Sequence, residues 1–332
     1  MLNVAVIGFG FMGMTHTMNI LKNKSLRLRA IVDIKPDAVK KNLHSKGGNF
    51  DTGQIDPKQL ADIQIYPSLQ ECLMTEKLDA VIISVHTRLH YEITKQALDN
   101  DLHVFLEKPF CLDIAQAREL VELSEKKKKV LMIGHVVRFM PPYQRLKQWI
   151  DSGEFGPLKF LSLSRFSGRP AWGEWKDGAV SGTSGGGLFD LIIHDIDFAF
   201  YTVGMPSVIQ STLLPGELSP YDYVDAVWKY DDRDTLVKIE GGNIFHTDFP
   251  FQAGYVAGFQ KASLVYTTLK ADVIRIADKD RLYEVEAGDA GEGFYNEISY
   301  FAECAITGRQ PVTCLPESAL QTIELCYRHI EK

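Results

Sequence analysis

The sequence predicts an α/β chain, with an N-terminal doubly wound parallel sheet followed by a C-terminal α+β domain on a mostly antiparallel open sheet. Three observations carry this prediction. Up to about residue 135, short β-branched apolar runs alternate with helix-patterned stretches. Beyond about Val136, strand-like runs follow one another through short turns. At 332 residues the chain is too long for one small core, so two domains are expected, 1–135 and 136–332.

In the first half, strands are expected at Val4–Ile7, Leu28–Val32, Ile63–Tyr66, Ala80–Val85, His103–Leu106 and Val130–Ile133. They are apolar nearly throughout, as strands buried on both faces must be. Helical patterns lie between them, near Met14–Leu21, Pro36–His44, Ser68–Met74, Leu89–Asn100 and Ile114–Glu125. Strands alternating with helices imply parallel βαβ units with right-handed crossovers. Residues 45–62, rich in Gly, Asp and Gln, read as a surface excursion before the third strand. Lys126–Lys129 ends a helix, where cations oppose the dipole favourably.

In the second half, a helix over Pro142–Asp151 precedes strands at Leu158–Phe166, Ser207–Leu213, Tyr223–Tyr230, Thr235–Glu240, Tyr255–Phe259, Ala262–Tyr266 and Val273–Ala277. Turns at Asp231–Arg233 and Gly258–Lys261 indicate antiparallel hairpins. One strong helix, Gly187–Thr202, interrupts the strands, and two more close the chain near Phe294–Thr307 and Pro316–His329.

Composition narrows the function classes. No run approaches the roughly 18 apolar residues needed to cross a bilayer, and the N-terminus enters a strand without a signal-peptide pattern, so a cytoplasmic location is expected. The five cysteines show no C-x-x-C spacing, which points to reduced, buried thiols rather than a disulfide framework or a zinc ribbon. A net charge of −7 argues against nucleic acid as a partner.

Gly8, Gly10 and Gly13 form G-x-G-x-x-G between the first strand and the first helix, with Phe11 and Met12 between the last two. This is the Rossmann fingerprint. The first glycine allows a tight turn, the second admits the pyrophosphate, and the third lets helix and strand pack closely. The helix N-terminus faces the phosphates. Asp33, at the end of the second strand, is the expected partner of the adenine ribose hydroxyls, and its charge favours NAD over NADP.

In such sheets ligands sit beyond the carboxyl ends of the strands. The residues there are Ser84, His86, Arg88 and His90 after the fourth strand, Glu107-Lys108-Pro109 after the fifth, and Gly134, His135 and Arg138 after the sixth. The proline of the second group is a candidate for a cis peptide. In the second domain Asp190 and His194, spaced i,i+4 on an apolar helix, suggest a histidine oriented by a carboxylate for acid–base work. Gly185–Gly187 before that helix suggests a flexible loop that lets a ligand reach it. Asp195 and Asp197 beside His194, and the His86/His90 pair, do not make a persuasive metal site. Arg165, Arg169, Trp172 and Trp175 read as a loop able to stack on a sugar or pair with an anion.

Together, the glycine fingerprint, the His90 segment, Glu107-Lys108-Pro109 and the stretch Gly185–Asp197 resemble the Gfo/Idh/MocA oxidoreductases over essentially the whole chain. The resemblance implies hydride transfer between nicotinamide and a secondary alcohol carbon of a sugar, cyclitol or sugar derivative. It implies Lys108, His194 and Asp190 as the catalytic set. Lys108 contacts the reacting hydroxyl, His194 exchanges its proton and Asp190 binds substrate. Cofactor contacts are expected from Gly8, Gly10, Phe11, Met12, Gly13, Asp33, Ser84, His86, His90, Glu107 and Lys108. Substrate contacts are expected from Lys108, Arg138, Trp172, Asp190 and His194. The resemblance also implies a homodimer or homotetramer formed through the C-terminal sheet. Two alternatives share the fold: an enzyme that retains NAD and hydrolyses glycosides, and a non-catalytic dinucleotide-binding regulator.

Overall fold

Uninterrupted apolar strands need helices on both faces, and the first sheet is built that way. The computed structural model describes residues 1–37, 39, 55–170 and 185–331. Six parallel strands, β1 (Leu2–Ile7), β2 (Leu26–Val32), β3 (Gln64–Tyr66), β4 (Ala80–Ile83), β5 (His103–Glu107) and β6 (Leu131–Gly134), lie in the order β3-β2-β1-β4-β5-β6. Val4–Val6, Ala80–Ile83 and Val104–Leu106 are fully buried, which is why they show no alternation. The strand order reverses between β1 and β4, which opens a crevice at the carboxyl edge.

The connecting helices are α1 (Phe11–Lys22), α2 (Leu69–Thr75), α3 (His90–Asp99) and α4 (Ile114–Lys127). Local chemistry starts and stops them. Ser68 Oγ accepts from the Glu71 N–H, and Asp113 accepts from Ala115 and Gln116. Lys126 and Lys127 lie in the last turn of α4, where cations face its negative end. Of the expected helix at Pro36–His44 and excursion at 45–62, residues 38 and 40–54 lie outside the described residues.

The second sheet has eight strands: β7 (Leu158–Gly168), β8 (Val208–Leu214), β9 (Tyr223–Lys229), β10 (Leu236–Phe245), β11 (Gln252–Phe259), β12 (Ala262–Thr267), β13 (Val273–Asp278) and β14 (Leu282–Glu286). Their order is β14-β13-β12-β11-β7-β10-β9-β8. All pairs are antiparallel except β7 with β10. The expected hairpins at 231–233 and 258–261 are present as β9–β10 and β11–β12. β14 was not expected: it is a five-residue edge strand with no buried residue. Alternating burial along β9 and β12 shows one covered face and one open face.

Four α-helices belong to the rest of the described residues. They are α5 (Pro141–Ser152), α6 (Ile193–Val203) preceded by a π-helical turn at Leu188–Ile192, and the pair α7 (Glu292–Thr307) and α8 (Pro316–Arg328). The chain divides into two compact units, Met1–His135 with Phe294–Leu320, and Val136–Gly293 with Gln321–Lys332. The sequence reading assigned all of 136–332 to the second domain. The segment Phe294–Leu320 packs with the first unit instead. Phe301 meets Phe105 edge-on at 5.8 Å, Asn23 donates to Ser299 Oγ, and Cys314 Sγ bonds the Ile133 carbonyl. An amphipathic helix advertises its apolar face but not the surface that covers it. All five cysteines are free and buried. No helix among the described residues is long and apolar enough to cross a membrane.

Candidate active site

Strand-end geometry gathers the residues of the first unit. Parallel pairing puts Gly8, Asp33, Ser84 and Lys108 just beyond β1, β2, β4 and β5 at one carboxyl edge. Gly8 has φ +86°, and a Cβ there would lie 2.6 Å from the Ser84 carbonyl oxygen. A Cβ on Gly13 would lie 2.0 Å from the Gly8 oxygen, so strand and helix meet backbone to backbone. Between them Phe9 is fully buried against Met14, Ile31 and Val39, anchoring the loop. Ser84 Oγ donates to the Gly8 carbonyl at 2.9 Å. Asp33 accepts the Phe9 N–H at 2.9 Å and the Lys35 N–H at 2.8 Å, which ties the end of β2 to the loop.

Gly10 differs from its two neighbours. Among the described residues nothing lies within 4 Å of the Cβ it lacks. Internal packing therefore does not require glycine at this position, whereas the close approach of a ligand would. Gly10 is the N-cap of α1, with no side-chain cap bond and no acidic residue in the first turn. The helix end is thus prepared for an anion from outside. Phe11 and Met12 are half-buried in that first turn. These features fit a dinucleotide pyrophosphate.

The Glu107–Pro109 turn is clamped from two sides, and the Lys108–Pro109 peptide is cis. The Glu107 carboxylate accepts from His16 Nε2 at 2.5 Å and from the Lys108 N–H at 3.2 Å. The His90 ring lies against the carbonyls of Pro109 (2.8 Å), Phe110 (3.2 Å) and Val85 (3.1 Å). Burial pushes the His90 pKa down, against the pull of those three carbonyls. Burial also raises the Glu107 carboxyl, but His16, Lys108 and His90 outweigh it and hold it below its ordinary value. Glu107 and His90 were expected to touch a cofactor. Both are buried and committed to protein partners, so they shape the turn instead. Lys108 is half-buried and His86 is exposed at the end of β4.

In the second unit, Asp190 lies in the π-helical turn Leu188–Ile192 and His194 in the first turn of α6. A regular helix was expected throughout, but the i→i+5 pattern of a π turn changes how Asp190 is presented, as often occurs at functional sites. From Gly186 to Ala199 every residue is buried except Asp190 and His194. These two polar residues alone in that stretch are partly exposed.

Arg138 was expected at a substrate, but it is buried and pairs through two bonds with Asp197, at 2.8 and 2.6 Å, with Thr322 also donating to Asp197. Arg165, inside the expected strand Leu158–Phe166, was expected to pair with a ligand anion. It lies on β7, buried, and pairs with Asp195 at 2.7 and 3.1 Å. The glycines 185–187 were expected to give a flexible loop. They pack tightly instead: a Cβ on Gly186 would lie 1.7 Å from Ser219 Oγ, and one on Gly187 would lie 2.7 Å from the Asp222 carbonyl oxygen. Asp222, which the sequence reading missed, organises this corner. Its carboxylate accepts from Gly187 N, Ser219 Oγ, Leu218 N and Ser219 N. Trp172 and Trp175 lie outside the described residues. A cavity of about 300 Å³ in the second unit, between α5 and Glu286–Gly288, contains none of the candidate residues.

A Rossmann unit with a glycine cradle and a strand-end lysine, in one chain with a mixed-sheet unit, is an architecture that suits a dinucleotide-dependent oxidoreductase. Residues 2–135 match the model of an oxidoreductase family with an NAD-binding Rossmann fold, and residues 143–250 match the GFO/IDH/MocA C-terminal domain. The chain belongs to the Gfo/Idh/MocA oxidoreductase family. It is 27% identical over 329 residues to an uncharacterized oxidoreductase of Bacillus subtilis, covering 95% of this chain and 89% of that one. It is 25% identical over 253 residues to the NAD-linked scyllo-inositol 2-dehydrogenase of the same organism, covering 73% and 72%. Among solved structures, UDP-N-acetylglucosamine 3-dehydrogenase from Acidithiobacillus ferrooxidans matches with a TM-score of 0.79 at 20% identity, covering 99% and 96%.

Proposed function

We propose that this oxidoreductase binds NAD and transfers hydride between its nicotinamide and a secondary alcohol carbon of a sugar, cyclitol or sugar derivative. The observation that carries the proposal is chemical selection along the chain. Lys108 stands at the dinucleotide edge on a doubly clamped turn, and Asp190 and His194 are the two unsealed residues of an otherwise buried stretch. Gly8, Gly10 and Gly13 with the α1 N-terminus hold the pyrophosphate, and Asp33 holds the adenine ribose. When bound, the nicotinamide supplies the hydride chemistry. Lys108 donates to the substrate oxygen and offsets negative charge as the hydroxyl proton leaves. His194 takes that proton in oxidation and returns it in reduction, while Asp190 binds a substrate hydroxyl.

The test is a panel of sugars, inositols and sugar acids with NAD and NADP, following absorbance of the reduced cofactor. Reduction by at least one polyol is expected. A panel with no reduction, or glycoside cleavage without net NADH, overturns the proposal.

Asp33 sets the choice of cofactor. Its carboxylate repels a 2′-phosphate, and Asp33→Ser removes that repulsion. The ratio of kcat/KM for NAD to that for NADP should fall on the order of tenfold or more, equivalent to about 1.4 kcal/mol. Because Asp33 also holds the Phe9 N–H, both KM values should rise, and the ratio isolates the phosphate effect. The open face of the second sheet, where the cross-strand pair Val256 and Val265 is exposed, is the proposed surface of a homo-oligomer; light scattering at the mass of a monomer would exclude it.

A further inference from the structure

The first unit buries three titratable side chains together, and the reaction described above uses none of them directly. His16 lies on α1, Glu107 ends β5 and Glu297 lies on α7; His16 and Glu297 are fully buried and Glu107 nearly so. One ligand atom from each lies within 4.8 Å of the others. His16 Nε2 donates to Glu107 Oε1, and the Lys108 N–H donates to Glu107 Oε2. Among the described residues neither oxygen of Glu297 has a hydrogen-bond partner.

Such a cluster holds either a metal ion or protons, and the spacing distinguishes them. Two ligands bound to one ion at about 2.1 Å stand about 3 Å or more apart. His16 Nε2 and Glu107 Oε1 are 2.5 Å apart, a hydrogen-bond distance. Two carboxyls buried a few ångströms apart cannot both carry charge. The neighbours decide which one does. Glu107 is faced by His16 from α1, by Lys108 on its own turn and by His90 from α3, whereas Glu297 is faced by Glu107. Burial and the Glu107 charge push the Glu297 carboxyl well above the ordinary carboxylate range.

We propose that His16, Glu107 and Glu297 form a proton-holding triad, of which His16 and Glu107 position Lys108. Glu297 is held as the neutral acid and Glu107 as the carboxylate. The proton on His16 Nε2 orients Glu107 so that its second oxygen holds the Lys108 amide. His16 and Glu107 are positioning residues, and the consequence for turnover rests on the proposed role of Lys108.

The decisive measurements do not need turnover. Infrared difference spectra of the wild type and Glu297→Gln at pH 7–8 should show a buried carboxylic-acid C=O band that shifts in D2O and is lost in the variant. Gln mimics the neutral acid in shape and charge, so this variant should fold. Absence of the band in the wild type, its survival in the variant, or a stoichiometric metal ion in the purified protein overturns the proposal.

Thermal stability gives a second reading. The folded-state pKa of Glu297 is raised, so its favourable contribution is full below the unfolded carboxyl pKa and is lost as pH rises toward the folded value. The Tm of Glu297→Gln minus that of the wild type should therefore increase with pH from about 5 upward; a pH-independent difference overturns the assignment. For positioning, His16→Leu should lower kcat on the order of tenfold or more with the dinucleotide Kd little changed, and His16→Gln, which restores an N–H donor, should recover most of it. Equal kcat in His16→Leu and wild type, with the infrared band as expected, overturns the positioning role alone. Full turnover in Lys108→Ala would instead overturn the functional reading.

Discussion

Lys108→Ala is expected to lower kcat by about three orders of magnitude while the Kd for NAD changes by less than about threefold. The ammonium group is asked to steady charge on the substrate oxygen at the moment the proton leaves. That interaction is stronger in the transition state than in the ground state, so its loss falls on kcat. Cofactor binding should survive because the cradle of Gly8, Gly10 and Gly13 does not depend on this side chain. The backbone turn should also survive, since Glu107 holds residue 108 through its amide and His90 holds the two carbonyls that follow. Steady-state rates on the best substrate of the panel, with an equilibrium titration of NAD, test both halves. Turnover within tenfold of wild type would remove Lys108 from the chemistry.

The second large effect separates two glycines of one motif. Gly13→Ala places a Cβ 2.0 Å from the Gly8 oxygen, which neither backbone can yield to cheaply. A loss of about 1–3 kcal/mol in stability is expected, read as a lower Tm or denaturation midpoint. Gly10→Asp should do the opposite. Its Cβ meets nothing within 4 Å, its φ of −81° is ordinary, and aspartate is a favoured N-cap. Stability should be unchanged or higher by up to about 1 kcal/mol. NAD affinity should nevertheless fall by on the order of 100-fold or more, because the carboxylate occupies and repels the pyrophosphate position. Chemical denaturation and NAD titration on the two variants give the test. Retained NAD binding in Gly10→Asp would show that the phosphates lie elsewhere.

Much of the fold is legible in the sequence because it rests on short-range rules. The strand–helix alternation, the hairpins at 231–233 and 258–261, and the glycine loop before α1 all follow from periodicity and turn chemistry over a few residues. Asp190 and His194 stand out in sequence as polar residues on an apolar helix, and their role is proposed. Burial sharpened that reading by showing them as the two unsealed positions of their stretch. The π turn beneath Asp190 was not legible, because its apolar spacing resembles that of an α-helix.

The arginines and buried carboxyls were read less well. Arg138 and Arg165 looked like ligand-binding groups, yet each is consumed by an aspartate of α6, at sequence separations of 59 and 30. His90 and Glu107 looked like cofactor contacts, yet both are structural supports of the Lys108 turn. Asp222, His16 and Glu297 carried no local pattern at all.

Side-chain period and glycine geometry act between near neighbours, so the fold class and the strand-end glycine cradle are written into local sequence. The tertiary structure decided which charges are spent on each other and which remain for chemistry. A buried ionisable group is defined by the partner brought to it from a distant part of the chain, and no local pattern encodes that partner. Helix α7 joining the first unit, and so placing Glu297 beside Glu107, is the clearest instance.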